Sequence, residues 1–389
     1  MRADAEFDIV VYGATGFTGK LVVEYMAQRH PPGSGLSWAM AGRSQGKLEQ
    51  VRREWGAPAD TPLVVADAAD PASIEAMAKR AKCVLTTVGP YSLYGEPLVE
   101  ACAKQGTDYV DLSGEVLWMK DMIEAHGDTA KSTGARIVHS CGFDSIPFDL
   151  GVQYLQEEAV KRFGAPCVRV RGRMRAMQGT FSGGTAASGA ATMKAVQKDP
   201  ARMQDLINPF ALTGGFSGPD QPPGNKPMEE EGVWLAPFVM APINTKNIHR
   251  SNALMGHAYG KDFVYDEMMV TGPGDQGKAV ADAVAGMTLG GSDAPKPGEG
   301  PSKEEREAGH YDYVAIGEGP GGETLKVAVT GDKDPGYGST SKIISEAAAC
   351  LVQDKPDLPG GIYTPAPALG AALRERLVAH AGLTFDVEG

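Results

Sequence analysis

Three glycines, Gly13, Gly16 and Gly19, stand at G-x-x-G-x-x-G spacing directly after the short apolar run Phe7–Tyr12. Between a buried strand and a helix, such a turn can lay a dinucleotide pyrophosphate on the helix N-terminus. One glycine turns sharply, one lets phosphate reach the backbone, and one lets helix pack on strand. The candidate contacts are Gly13, Thr15, Gly16, Phe17, Thr18 and Gly19. After the second apolar run, residues 36–41, NAD enzymes carry an acid for the ribose 2′-hydroxyl. Here that place holds Arg43, with Ser44 beside it and Lys47 one helical turn on. A guanidinium matches a 2′-phosphate bidentately, which points to NADP(H); a solvated helix start is the plainer reading. Asp67 ends the third run, either near the adenine or as a loop acid. Thr87, Gly89, Pro90 and Tyr91 follow the fourth run and would lie near the nicotinamide ribose. Tyr91 and Tyr94 are there either to donate a proton and stack on a ring, or to pack a Gly-Pro turn; Tyr91 is the candidate catalytic residue.

The elements that must position these groups alternate. Strands are expected at residues 7–12, 36–41, 62–67, 83–88, 109–111 and 136–139. Helices fall between them, at residues 20–26 and 47–55, after the Asp70-Pro71 start, at 98–105 before Gly106, and at 115–133 before Gly134. The fold class is α/β, a Rossmann-type doubly wound parallel sheet. Asp144 or Ser145 is expected to cap a helix running to Phe163; a nucleophilic Cys141 or Ser145 lacks a G-x-S-x-G elbow. From Cys167 the pattern changes. Arg169, Arg171, Arg173 and Arg175 alternate with other residues, so one strand face carries four guanidinium groups. They either bind an acidic substrate or make a solvent or subunit face. Residues 179–185 form a second glycine-rich helix start, a possible anion site or a plain helix N-terminus. Residues 209–242 read as a long loop with a short apolar piece at 234–240, and 292–306 as a mobile surface segment. A strand at 263–270, a helix at 276–287 and a hairpin of 311–316 with 324–330 make this half a second α+β domain with a mixed, open-faced sheet. Helices to residue 352 and at 368–379 close the chain. The expected division is 1–150, completed by 337–389, for NADP, and 151–336 for substrate and dimerisation.

Composition narrows the class. The 42% hydrophobic and 22% charged residues are those of a soluble globular protein, and 389 residues call for two domains. A net charge of −12 argues against a nucleic-acid partner. The charged start lacks a signal-peptide core, and no apolar run reaches transmembrane length; peripheral membrane contact stays open. The five cysteines are scattered, and the seven histidines form no H-x-x-x-H or H-x-H. A cytoplasmic location and no metal are expected. No Y-x-x-x-K pair follows Tyr91, Tyr94 or Tyr109, unlike short-chain dehydrogenases.

The segments Gly13–Gly19, 41–44, Val88-Gly89-Pro90-Tyr91 and Cys141-Gly142-Phe143-Asp144-Ser145-Ile146-Pro147 resemble the saccharopine dehydrogenase-like oxidoreductases. So do Ser182-Gly183-Gly184-Thr185, His249-Arg250-Ser251 and Gly361-Ile362-Tyr363-Thr364-Pro365, nearest the trans-acting enoyl reductase branch. The resemblance implies an NADP-dependent oxidoreductase with an acyl substrate, free or carrier-bound, and a homodimer. It implies cofactor contacts only, and no catalytic residue. Hydride transfer to an enoyl, acyl or polyketide-type lipid intermediate is the first expectation. A saccharopine-type imine reductase, with the arginine row holding carboxylates, and a non-catalytic NADP sensor are the alternatives.

Overall fold

The computed structural model describes residues 4–179, 183–287 and 300–388, with side chains from 187 onward in the middle stretch. The first sheet is wholly parallel, in the order β13-β6-β5-β4-β1-β2-β3. Its strands are β1 (Phe7–Tyr12), β2 (Trp38–Gly42), β3 (Leu63–Val65), β4 (Ala81–Thr86), β5 (Asp108–Val110), β6 (Arg136–Val138) and β13 (Gly361–Tyr363). Six of them keep the doubly wound order, and β13 from the C-terminal part extends it beside β6. Local signals explain the helix limits between them. The Asp70 side chain accepts from the Ala72 N–H ahead of Pro71, while Gly106 and Gly134 end their helices in the left-handed conformation.

The second sheet is mixed, in the order β14-β12-β11-β7-β10-β9-β8. It comprises β7 (Arg169–Gln178), β8 (Met228–Glu230), β9 (Val233–Pro237), β10 (Val264–Pro273), β11 (His310–Glu318), β12 (Thr324–Gly331) and β14 (Leu383–Glu388). Only the β7/β10 pair is parallel. Parts of this half differ from expectation. The long loop contains the β8/β9 hairpin, whose turn carries Glu231 and Gly232 at positive φ. The last helix is broken into Pro365–Ala368 and Gly370–Arg376, and residues 383–388, read as part of the nucleotide domain, pair instead with β12.

The Thr340–Gln353 helix lies on β1, β4 and β5 beside the Phe17–Arg29 helix. The Ile146–Phe163 helix covers β11 and β12, and the Ala241–Leu254 helix sits between it and β10. One apolar core runs through both sheets, from Ile9 and Val22 by way of Ile344 and Phe148 to Tyr313 and Val327. It leaves the carboxyl ends of the parallel strands facing the Ala241–Leu254 helix.

Candidate functional site

The glycine loop is close-packed backbone leading into the first helix. Gly13 has φ +91°, and a Cβ there would lie 2.8 Å from Thr87 Oγ1 and Val88 Cγ2. A Cβ on Gly19 would stand 2.0 Å from the Gly13 carbonyl oxygen, so only glycine lets the helix lie this close to the strand. The helix begins at Phe17, three residues earlier than expected. Phe17, Thr18 and Gly19 therefore form its first turn, where no side chain caps the N–H groups and no acid opposes an anion. This cradle fits a dinucleotide pyrophosphate.

Arg43 is exposed at the end of β2, and neither it nor Lys47 has a carboxylate partner among the described residues. Ser44 caps the next helix, its Oγ accepting from the Lys47 N–H at 3.4 Å. Thr15 lies beside Gly42, which joins the two loops. Asp67 accepts from the Ala69 N–H at 3.0 Å, an organised loop acid. With Arg43 it acts electrostatically on Tyr12, whose phenol burial pushes up to about 12. Two cations at the end of β2 thus have no carboxylate partner among the described residues.

Thr87 donates to the Gly13 carbonyl at 3.4 Å, tying the β4 loop to the glycine loop, and Gly89-Pro90 is a cis peptide. Tyr91 does not fit the proton-donor role. Its hydroxyl donates to the Thr86 carbonyl at 3.3 Å and accepts from the Leu112 N–H at 3.0 Å, and the ring is buried. Burial first, then the Asp111 charge, drives that phenol far above its ordinary range. It is a strut between two loops. Tyr94 is 47% exposed.

Spacing gave no sign of what lies below that strut. Fully buried Asp111 accepts from the Tyr109 hydroxyl at 2.9 Å, from the backbone of Ser113 and Ser140, and meets His139 Nδ1 at 2.7 Å. Ser140, at φ +63°, is held in this cage, and His139 Nε2 has no hydrogen-bond partner among the described residues. Glu115 accepts from the Tyr91 and Ser92 N–H groups and from Ser188 Oγ, so it links the β4 loop to the second half of the chain.

Opposite stands the Ala241–Leu254 helix, with an unusual set of buried polar side chains: Asn244, Lys246, Asn247, His249, Arg250 and Ser251. Ile243 seats against Gly114, with Leu112 and Val88 in the same cluster. Asn247 donates to Ser145 Oγ at 2.9 Å, so Ser145 stands at a helix start without capping it. Asp144 does not cap either. It is half-buried, unpartnered among the described residues, and burial alone lifts it to about 6. Arg250 donates to the carbonyls of Leu212 and Ile362, pinning helix, loop and β13 together. Asn244 donates to Glu267, which burial lifts to about 7 against the bonds from Tyr265 and Asn244. The helix and the loops that follow β5 and β6 thus bring together an acid, Asp144, and an amine, Lys246, neither with an ion-pair partner among the described residues. Only His249-Arg250-Ser251 marked this helix in the sequence, and the triplet carries no spacing rule.

The arginine row is spoken for. Arg169 pairs with Asp266, Arg171 with Glu230, Glu231 and Glu318, Arg173 with Glu230 and Asp266, and Arg175 with Asp312 and Glu388. All four are ion-paired within the chain, so the row is a paired layer and not a face of free cations. Side chains of the 179–185 turn and most of 292–306 lie outside the described residues. Cys141 is buried, and burial pushes its thiol well up, as expected of an inert side chain. Among the described residues no His/Cys/Asp/Glu group could hold a metal, and no helix is long and apolar enough to cross a membrane.

Residues 9–138 match the family description "Saccharopine dehydrogenase NADP binding domain". Over 98% of its length the chain is 41% identical to a Mycobacterium tuberculosis protein provisionally named as a trans-acting enoyl reductase, covering 97% of that protein. A Mycobacterium bovis protein named "Trans-acting enoyl reductase" is 39% identical, with 96% of each chain covered. Among solved structures, apo saccharopine dehydrogenase (L-Glu forming) from Saccharomyces cerevisiae superposes at a TM-score of 0.56 with 10% identity, covering 98% of this chain and 100% of that one.

Proposed function

The chain belongs to the saccharopine dehydrogenase-like family of NADP-dependent oxidoreductases, in the trans-acting enoyl reductase branch, and from that premise we propose that it reduces the carbon–carbon double bond of an enoyl thioester. The observation that carries the substrate class is the 39% identity to a relative named for enoyl reduction, which extends across both sheets. Gly13, Gly16, the first helical turn from Phe17 to Gly19, and Thr87 hold the pyrophosphate and ribose. Arg43, Ser44 and Lys47 take the 2′-phosphate. Bound NADPH supplies a hydride, which goes to the electron-poor β-carbon, and an acid of the protein supplies the proton for the α-carbon. An imine reductase would need cations for two carboxylates, and every arginine of the row is already ion-paired within the chain.

The reading is tested by titrating NADPH and NADH, then following nicotinamide absorbance with enoyl thioesters and with keto-acid/amino-acid pairs. NADPH consumption with the thioesters alone is expected. Consumption only with the keto-acid pairs would overturn the substrate class, and tight NADPH binding without turnover would leave a sensor.

A further inference from the structure

Lys246 is a buried cation with no carboxylate partner among the described residues. It is 3% exposed, and its Nζ makes one hydrogen bond, 2.9 Å to the carbonyl of Pro242 in its own helix. A buried ammonium normally has a carboxylate partner, because leaving water uncompensated is costly. Here burial lowers the group to about 8, with no compensating carboxylate. The charged and titratable groups nearest it on the helix are His249 and Arg250. His249 is held neutral, lowered to about 3 by burial and by the charge on Lys246. Arg250 spends its guanidinium on two backbone carbonyls.

Geometry places the amine. The bond to Pro242 shows the side chain running back toward the first turn of the helix, as helical side chains do. In that turn Ile243 meets Gly114, in the loop after β5. One residue further on from Lys246, Asn247 bonds Ser145 in the loop after β6. Lys246 is the i+3 neighbour of Ile243, on the flank of the helix face that meets the loops after the strand ends, where ligand lies in an open parallel sheet. Ammonium donors not used by Pro242 remain for a ligand.

Building on the enoyl-reductase reading, we propose that Lys246 binds the acyl carbonyl oxygen of the substrate and donates the proton that completes the reduction. After hydride has formed the new C–H bond at the β-carbon, the π pair rests on the α-carbon and carbonyl oxygen as an enolate. Lys246 first holds that oxygen by an Nζ–H bond. One Nζ–H bond then breaks as its proton forms the C–H bond at the α-carbon. A saturated thioester and a neutral amine remain, and water returns the proton to the amine.

The test compares Lys246→Met and Lys246→Arg with the wild-type chain. Met removes an unbalanced buried charge, so its melting temperature is expected to be unchanged or raised, and NADPH affinity to stay within about threefold. Its kcat with crotonyl thioester should fall at least ~100-fold, with partial recovery in Lys246→Arg. A Lys246→Met protein that keeps kcat within about threefold overturns the proposal, and so does one that loses both melting temperature and NADPH binding, because that marks a structural lysine. A wild-type chain inactive on every thioester defeats the enoyl reading itself. The placement of Lys246 is then judged by acetylation with acetic anhydride, read by mass spectrometry. Saturating NADP+ should slow acetylation of Lys246 at least ~10-fold. An unchanged rate would put the amine away from the cofactor.

Discussion

Arg43 is exposed and has no acid beside it among the described residues, so its guanidinium is free to meet a 2′-phosphate. Arg43→Ala is expected to weaken NADPH by about 10- to 100-fold, or ~1.4–2.7 kcal/mol, while NADH affinity stays level. Equal losses for both cofactors, measured by fluorescence titration, would remove the 2′-phosphate assignment. Tyr91→Phe discards a hydroxyl that bridges Thr86 and Leu112. It should cost about 1–2 kcal/mol in urea unfolding and leave kcat within a few-fold; abolished turnover with unchanged stability would restore the proton-donor role. Glu267 adds a pH signature. Its folded pKa of about 7 lies above its ordinary 4.5. Between those values the folded chain keeps a proton that the unfolded chain has lost, so stability falls as pH rises, by about 1.4 kcal/mol per unit. Glu267→Gln lacks that decline. Its stability relative to wild type should improve by up to about 3 kcal/mol from pH 4.5 to 7.5, and parallel unfolding curves would contradict the burial argument. Arg43 could be read from the sequence because it replaces an acid at a fixed offset after a strand. Tyr91 could not, since the partners that occupy its hydroxyl come from two different loops.

At the scale of elements, the same contrast holds between local and distant causes. Asp70-Pro71, Gly106, Gly134 and Gly164 mark helix ends through their own conformations and caps, and each acts where the chain pattern put it. The β8/β9 hairpin and β14 were missed. They are short strands at or near the sheet edges, and their pairing is decided by β10 and β12 rather than by their own few residues. The Ala241–Leu254 helix escaped for another reason: its buried face is polar, so apolar periodicity could not announce it. The glycine loop gives the sharpest prediction here. Gly19→Ala would drive a methyl group to within 2.0 Å of the Gly13 carbonyl oxygen, backbone against which nothing can yield. The Phe17–Arg29 helix must shift, and NADPH binding should fall at least ~100-fold even if a folded chain survives. Undiminished affinity in that variant would mean the helix does not pack as described.

Across the whole molecule, a parallel nucleotide-binding sheet and a mixed sheet share one core, and the Ala241–Leu254 helix meets loops of the first sheet and β10 of the second. The acidic net charge of −12 is spread over surfaces that include the paired layer on β7, where every arginine of the row meets a carboxylate. That layer looked from the sequence like a possible substrate clamp, because strand periodicity shows which side chains share a face but not which strand comes to lie beside it. The cofactor half of the site was legible for the opposite reason: a strand, a turn and a helix adjacent in the chain make it. The central claim is that hydride from NADPH reaches the β-carbon of an enoyl thioester. The direct measurement supplies NADPH deuterated at the transferable position and locates the label in the product by mass spectrometry. One deuterium on the β-carbon of a saturated thioester, with a solvent proton on the α-carbon, is the predicted result. Label at the carbonyl carbon, or no oxidation of the cofactor, would contradict it.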